Sequence, residues 1–136
     1  MEKLVDWESR LIAYLRSVSK KPFKYGEHDC FIFTLQAVEA QTGVDLYTDV
    51  IGKYDDSESA LKFCKEHGYK SHVDAISKNF KPRESLLQAM RGDIIAVRSL
   101  ENQPALGICQ GSVVYAIGET GLYSLPMEYA RKAFAV

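Results

Sequence analysis

A chain of 136 residues is long enough to bury a core of its own and short enough to form one domain spanning 1–136. Its 17 basic and 18 acidic side chains leave a net charge of −1 with no basic block, which argues against nucleic acid and acidic membrane surfaces as partners. The three cysteines, Cys30, Cys64 and Cys109, are an odd number without CxxC spacing, which argues against a disulfide framework or a zinc site and suggests a reducing compartment.

The chain opens with Met1 to Asp6, which hold no apolar run of signal-peptide length. No stretch approaches the ~20 apolar residues of a membrane span. The expectation is synthesis in the cytoplasm, with no metal or cofactor. A first helix starts at Asp6 or a neighbour, where Trp7, Leu11 and Leu15 recur at i, i+4, i+8 and Ile12 and Val18 widen the stripe. The spacing places Trp7 in the core. Lys20-Lys21-Pro22 ends this helix, because proline cannot continue it.

Phe23-Lys24-Tyr25-Gly26-Glu27-His28-Asp29-Cys30 then runs into the apolar stretch Phe31 to Leu35. A glycine turn, an aspartate and a cysteine ahead of an apolar run read as a loop that sets a thiol at a helix start. Asp29 is the expected N-cap, and Cys30 sits in the first turn near the positive end of the helix dipole, a setting that favours thiolate. The competing reading of Cys30 is a small buried apolar residue. The helix runs to about Gln41 with Gly43 beyond its end, and its few polar positions mark it as the buried central helix.

Leu46 to Asp56 reads as a loop. Ser57 caps a third helix, Glu58 to about Glu66, closed by Gly68, with Leu61 and Cys64 on its inner face and His67 serving the helix end. Tyr69 to Ile76, which includes His72, reads as a short strand or an irregular crossing. Lys78 to Met90 holds one turn or two of helix around Glu84 to Leu87. From Arg91 the pattern turns to strands: Ile94–Val97, Leu106–Cys109, Val113–Ile117 and Leu122–Leu125, punctuated by glycine turns, with Ser99–Gln103 a polar connection. Pro126 opens a short helix, Met127 to Lys132, and Phe134-Ala135-Val136 closes the sheet as an edge strand. Arg91-Gly92-Asp93 reads as a turn. The class is α+β, with N-terminal helices, a buried central helix and a C-terminal antiparallel sheet packed on it.

The Tyr-Gly…Asp-Cys turn opening a buried helix, the Arg-Gly-Asp-Ile-Ile strand start and the Gly-Ile-x-x-Gly hairpin resemble the NlpC-type cysteine peptidases, bacterial cell-wall hydrolases of papain-like fold. Trp7…Phe23-x-Tyr25-Gly26-x-His28-Asp29-Cys30 and the ending after Arg91-Gly92-Asp93 are similar to an NlpC-like family encoded by tailed phages and prophages. The resemblance implies that Cys30 is the nucleophile. It also implies a histidine base at the next strand start, where this chain has Ala105 before Leu106-Gly107-Ile108, and a third polar residue near Tyr115 or Ala116, where no His, Asn or Gln stands. His28, two residues before Cys30, is a weak substitute for the base, and Tyr25 and Tyr115 are candidates to line the cleft as hydrogen-bond donors beside Asp29.

A cysteine protease needs a thiolate and an acid for the leaving amine, and a helix dipole supplies only the first. The expected function is therefore a phage or prophage NlpC-like protein with a degenerate site, acting in tail assembly or at the tail tip. Its partners are then tail or other assembly proteins, and virion association is compatible with this. The alternatives are an active thiol hydrolase acting on peptidoglycan peptides or another amide with a surrogate base, and thiol acyl transfer without a dedicated histidine.

Overall fold

The computed structural model describes residues 1–98 and 104–136. The expected polar connection over Ser99–Gln103 lies outside them. Among the described residues four α-helices come first: α1 (Trp7–Ser17), α2 (Cys30–Thr42), α3 (Ser57–Glu66) and α4 (His72–Asn79). Five strands follow: β1 (Ile94–Arg98), β2 (Pro104–Cys109), β3 (Val113–Gly118), β4 (Gly121–Pro126) and β5 (Ala130–Phe134). All pairings are antiparallel, in the order β4-β3-β2-β1-β5. The α+β class and the helix-then-sheet order are as the sequence indicates.

Helix α2 is the centre of the molecule. Ile32, Phe33, Ala37 and Val38 have no exposed surface, and its polar Thr34 and Gln41 are buried as well. Each large apolar side chain so buried contributes about 1.5–3 kcal/mol. Thr34 satisfies its hydroxyl on the Phe31 carbonyl at 2.8 Å, and Gln41 donates to the Gly92 carbonyl at 3.0 Å, which ties the helix to the turn before β1. Gly43 closes α2 in the left-handed region (φ 77°), its N–H donating to the Glu39 carbonyl. Helix α1 lies along α2 through Leu11 and Leu15. Trp7 is only half-buried, at the edge of the core, because the Lys3 ammonium stands 3.8 Å above its ring instead of further apolar chain.

One face of the sheet, with Ile94, Ala96, Leu106, Ile108 and Phe134, joins the helical core. The alternate residues Ile95, Val97, Cys109, Val114 and Leu125 form a second apolar cluster on the other face, which fixes Cys109 as a buried core residue. In the turn before β1, the Asp93 carboxylate is fully buried and accepts both arms of the Arg83 guanidinium, at 2.9 and 3.0 Å, and the Met90 N–H. The Arg91-Gly92-Asp93 turn is thus a structural corner.

Four expectations need correction. Helix α3 begins one residue earlier, with Asp56 as its N-cap in a reciprocal capping box with Ser59. Its inner face carries Ala60 and Cys64, at i, i+4, while Leu61 is exposed. Tyr69 to Ile76 is neither strand nor irregular: Ser71 caps α4 by accepting the Asp74 N–H, Asp74 reaches back to the Lys70 N–H, and Lys78 pairs with Asp74 one turn on. The helix expected over Met127–Lys132 is a single 3-10 turn, Met127–Tyr129, because Ala130 to Phe134 extend beside β1 as an edge strand, earlier than the expected Phe134-Ala135-Val136, whose last two residues lie outside it.

A cysteine cleft at the start of the central helix

The loop before α2 is built around one buried carboxylate. Asp29 has extended backbone (φ −107°, ψ 177°), and its Oδ1 accepts the Ile32 N–H at 2.9 Å, which is the N-cap expected from sequence. Its Oδ2 accepts the Gly26 N–H at 3.0 Å and the Tyr54 hydroxyl at 2.6 Å. Gly26 holds a left-handed φ of 79° with the Tyr54 carbonyl directly where a Cβ would be, so no other residue fits. Its carbonyl in turn receives the Gly52 N–H at 2.8 Å. The 46–56 loop is thereby latched to the 23–29 loop, and Asp29 sits at the junction.

Cys30 follows in the first turn of α2, part of its surface open to a cleft of about 950 Å³. Phe23 and Tyr25 line it from the loop, Leu61 from α3, His72 from α4, Ala105 from β2 and Ile117 from β3. Among the described residues its charged lining is Asp29 and Glu119, with no Lys or Arg. The thiolate expected from the helix position is not what this environment favours. Loss of hydration, and then the Asp29 carboxylate, push the Cys30 thiol up to about 12, against the opposing pull of backbone N–H groups at Leu106, Cys30 and Phe31. The thiol is neutral near pH 7.

Tyr25, Asp29 and Ala105 all reach this cleft; Tyr115 does not line it and packs on the helical core instead. Tyr25 keeps its proton, since loss of hydration and then the neighbouring Cys30 and Asp29 raise its phenol. His28 does not line the cleft either. It is completely buried, its ring edge-on to Phe33 with centroids 6.1 Å apart, and neither ring nitrogen has a hydrogen-bond partner. Burial, and then the Lys21 ammonium, lower its pKa to about 4. It is a packed core imidazole rather than a partner of Cys30.

The histidine that does enter the cleft is His72, at the first residue of α4. Its ring stacks flat on Phe31, the neighbour of Cys30, at 4.4 Å and 8°, and stands 5.5 Å from the Tyr54 ring. Its Nε2 is buried without a hydrogen-bond partner. Loss of hydration lowers its pKa, opposed by the Asp29 charge, so the imidazole is neutral. Tyr54 and His72 are the two site residues that sequence reasoning missed. The Ser71-x-x-Asp74 cap was a usable signal for the helix that delivers His72; nothing local marked Tyr54.

Fold and site together define an α+β protein with a neutral thiol at the capped start of a buried helix, facing an antiparallel sheet across an apolar cleft. The chain belongs to the family described as a domain of unknown function, DUF6950, whose model matches residues 2–136. No curated protein matches the sequence.

Proposed function

We propose that this chain is an NlpC-like domain of the phage or prophage type whose cleft binds a peptide segment of a partner, as a tail-assembly or tail-tip component, without the family's peptidase chemistry. The observation that carries this reading is Ala105 on β2 at the cleft, in the position the resemblance reserves for the histidine base. The high pKa of Cys30 supports it, because a peptidase of this kind needs a thiolate and a stored proton for the leaving amine. Incubation of the purified protein with cell-wall stem peptides tests it: no new amine is expected from wild type or from Cys30→Ser. Release of peptide by wild type that disappears in Cys30→Ser overturns it in favour of a thiol hydrolase. That second reading has one observation on its side, the His72 ring that borders the same cleft.

A further inference from the structure

We propose that the cleft takes up a basic peptide as an added β-strand, in a split between β2 and β3. This rests on reading the cleft as a peptide site, and adds to it the mode of binding and the charge of the partner. Strand β2 runs from Pro104 to Cys109 and β3 from Val113 to Gly118, yet the two pair only at Ile108 with Tyr115 and at Cys109 with Val114. On their outer sides both strands stay regular, β1 pairing β2 as far as Pro104 and β4 pairing β3 as far as Gly118. The parted halves line the cleft, Pro104, Ala105 and Leu106 on one side and Ala116, Ile117 and Gly118 on the other. Leu106 and Ile117 belong to the helical core, whereas Ala105 and Ala116 belong to the cluster on the opposite face of the sheet. A cavity meets residues of both faces of one sheet where its strands stand apart.

The register identifies the backbone groups that the split leaves over. Cys109 bonds Asp93 and Gly92 on the β1 side through its N–H and C=O, so by alternation Leu106 directs its own toward β3. The Val113 carbonyl accepts the Gln110 N–H, so Tyr115 and Ile117, alternate residues of the same regular strand, face β2. Extending the register of Ile108 with Tyr115 sets Leu106 opposite Ile117, and among the described residues no pairing joins them. The Leu106 N–H turns to the Cys30 sulfur instead. The Leu106 carbonyl and both backbone groups of Ile117 are left to face the cleft, and such groups are costly to leave unmatched. An extended main chain carries donors and acceptors at the spacing they need. Ala105, Ala116 and Gly118 beside the split are small enough to let one approach.

Charge selects among extended peptides. The lining carries Asp29 and Glu119 and, among the described residues, no Lys or Arg. Asp56 adds to this field, since its charge reaches the Tyr25 phenol on the cleft wall. A peptide with Lys or Arg beside the inserted stretch is attracted, and an acidic one is repelled.

The test uses the full chain and a phage-displayed library of random dodecapeptides, with the most enriched peptide resynthesised and its affinity measured by fluorescence anisotropy. Enriched peptides are expected to carry an excess of Lys and Arg. Methylation of alternate backbone nitrogens of that peptide reads the mode of binding. One alternate set is expected to weaken binding by about tenfold or more, as lost main-chain hydrogen bonds do, and the other set to leave it nearly unchanged. Hydrogen exchange followed by NMR is expected to slow at the Ile117 N–H when the peptide binds. Ala105→Leu, which fills the split, is expected to weaken binding by about tenfold or more, and Glu119→Lys to reduce the preference for basic peptides. Thermal unfolding of both variants separates loss of binding from loss of the fold, and the methyl scan needs no variant. Binding that Ala105→Leu blocks, but that is indifferent to methyl position and leaves Ile117 exchange unchanged, overturns strand addition and keeps the cleft as a peptide site. Enrichment of acidic peptides overturns the charge assignment. No enrichment, or binding that a folded Ala105→Leu leaves intact, removes the peptide reading as well. A dimer of the full chain that Ala105→Leu dissociates gives the cleft to a second copy and overturns the proposal.

Discussion

Replacing Tyr54 by phenylalanine deletes one oxygen and tests whether the Asp29 junction organises the start of α2. The Tyr54 hydroxyl donates to Asp29 Oδ2 at 2.6 Å, and both residues are buried, with 5% and 1% of their surface exposed. Asp29 retains the Gly26 and Ile32 N–H donors, so the carboxylate loses one of three partners rather than all of them. A hydrogen bond to a charged group contributes about 1.5–3 kcal/mol, and the short distance places this one in the upper part of that range. For a chain of this length such a loss lowers the melting temperature by roughly 5–12 °C. Urea unfolding of wild type, Tyr54→Phe, Asp29→Asn and the double variant gives the coupling between the two side chains directly. A coupling below about 0.5 kcal/mol refutes the claim that this contact latches the two loops.

Two further effects follow from buried charge. His28 has a folded-state pKa of about 4 against an ordinary 6.5, so between these values the unfolded chain binds more protons than the folded one. Its contribution to stability is complete above about pH 6.5 and is lost as pH falls toward 4, by up to about 3 kcal/mol. Urea midpoints of wild type and His28→Leu, measured from pH 7 to pH 4, are expected to diverge in slope over that window, and parallel curves refute it. Arg83→Ala leaves the fully buried Asp93 carboxylate with the Met90 N–H but without its paired guanidinium, the Lys3 ammonium remaining as a longer-range charge, at an expected cost of about 3–5 kcal/mol. Arg83→Leu combined with Asp93→Leu is expected to cost less than Arg83→Ala alone, as measured by thermal unfolding.

What the sequence made legible was whatever depends on local chemistry. Asp29 ahead of Cys30 and a run of apolar residues fixed the start, cap and burial of α2, and Gly43 fixed its end. The glycine-punctuated runs from Ile94 to Leu125 gave four strands with small errors at their ends. Long-range contacts defeated the reading elsewhere. Ala130 to Phe134 carry no strong strand pattern and extend because β1 offers them a free edge. Helix α4 is short, and its cap uses Asp74 where a glutamate or glutamine is the more familiar signal. The consequence for the site was larger than for the fold, since missing α4 meant missing that His72, 42 positions along from Cys30, faces the same cleft. Sequence proximity pointed instead to His28, whose ring turns into the core against Phe33. Thiolate stabilisation by the helix start was a sound local argument, but burial and the capping carboxylate itself outweigh it.

The state of the Cys30 thiol is the most direct test of this account. Alkylation of the full chain by iodoacetamide across a range of pH, quantified at Cys30 by mass spectrometry with Cys30→Ser as control, reads that state. The expected result is a rate that is low at neutral pH and still climbing beyond the ordinary cysteine pKa of about 8.5, toward the value of about 12 that burial and Asp29 impose. A rate that has already levelled off at or below neutral pH reveals a stabilised thiolate, and contradicts the account of a neutral thiol in a cleft without peptidase chemistry.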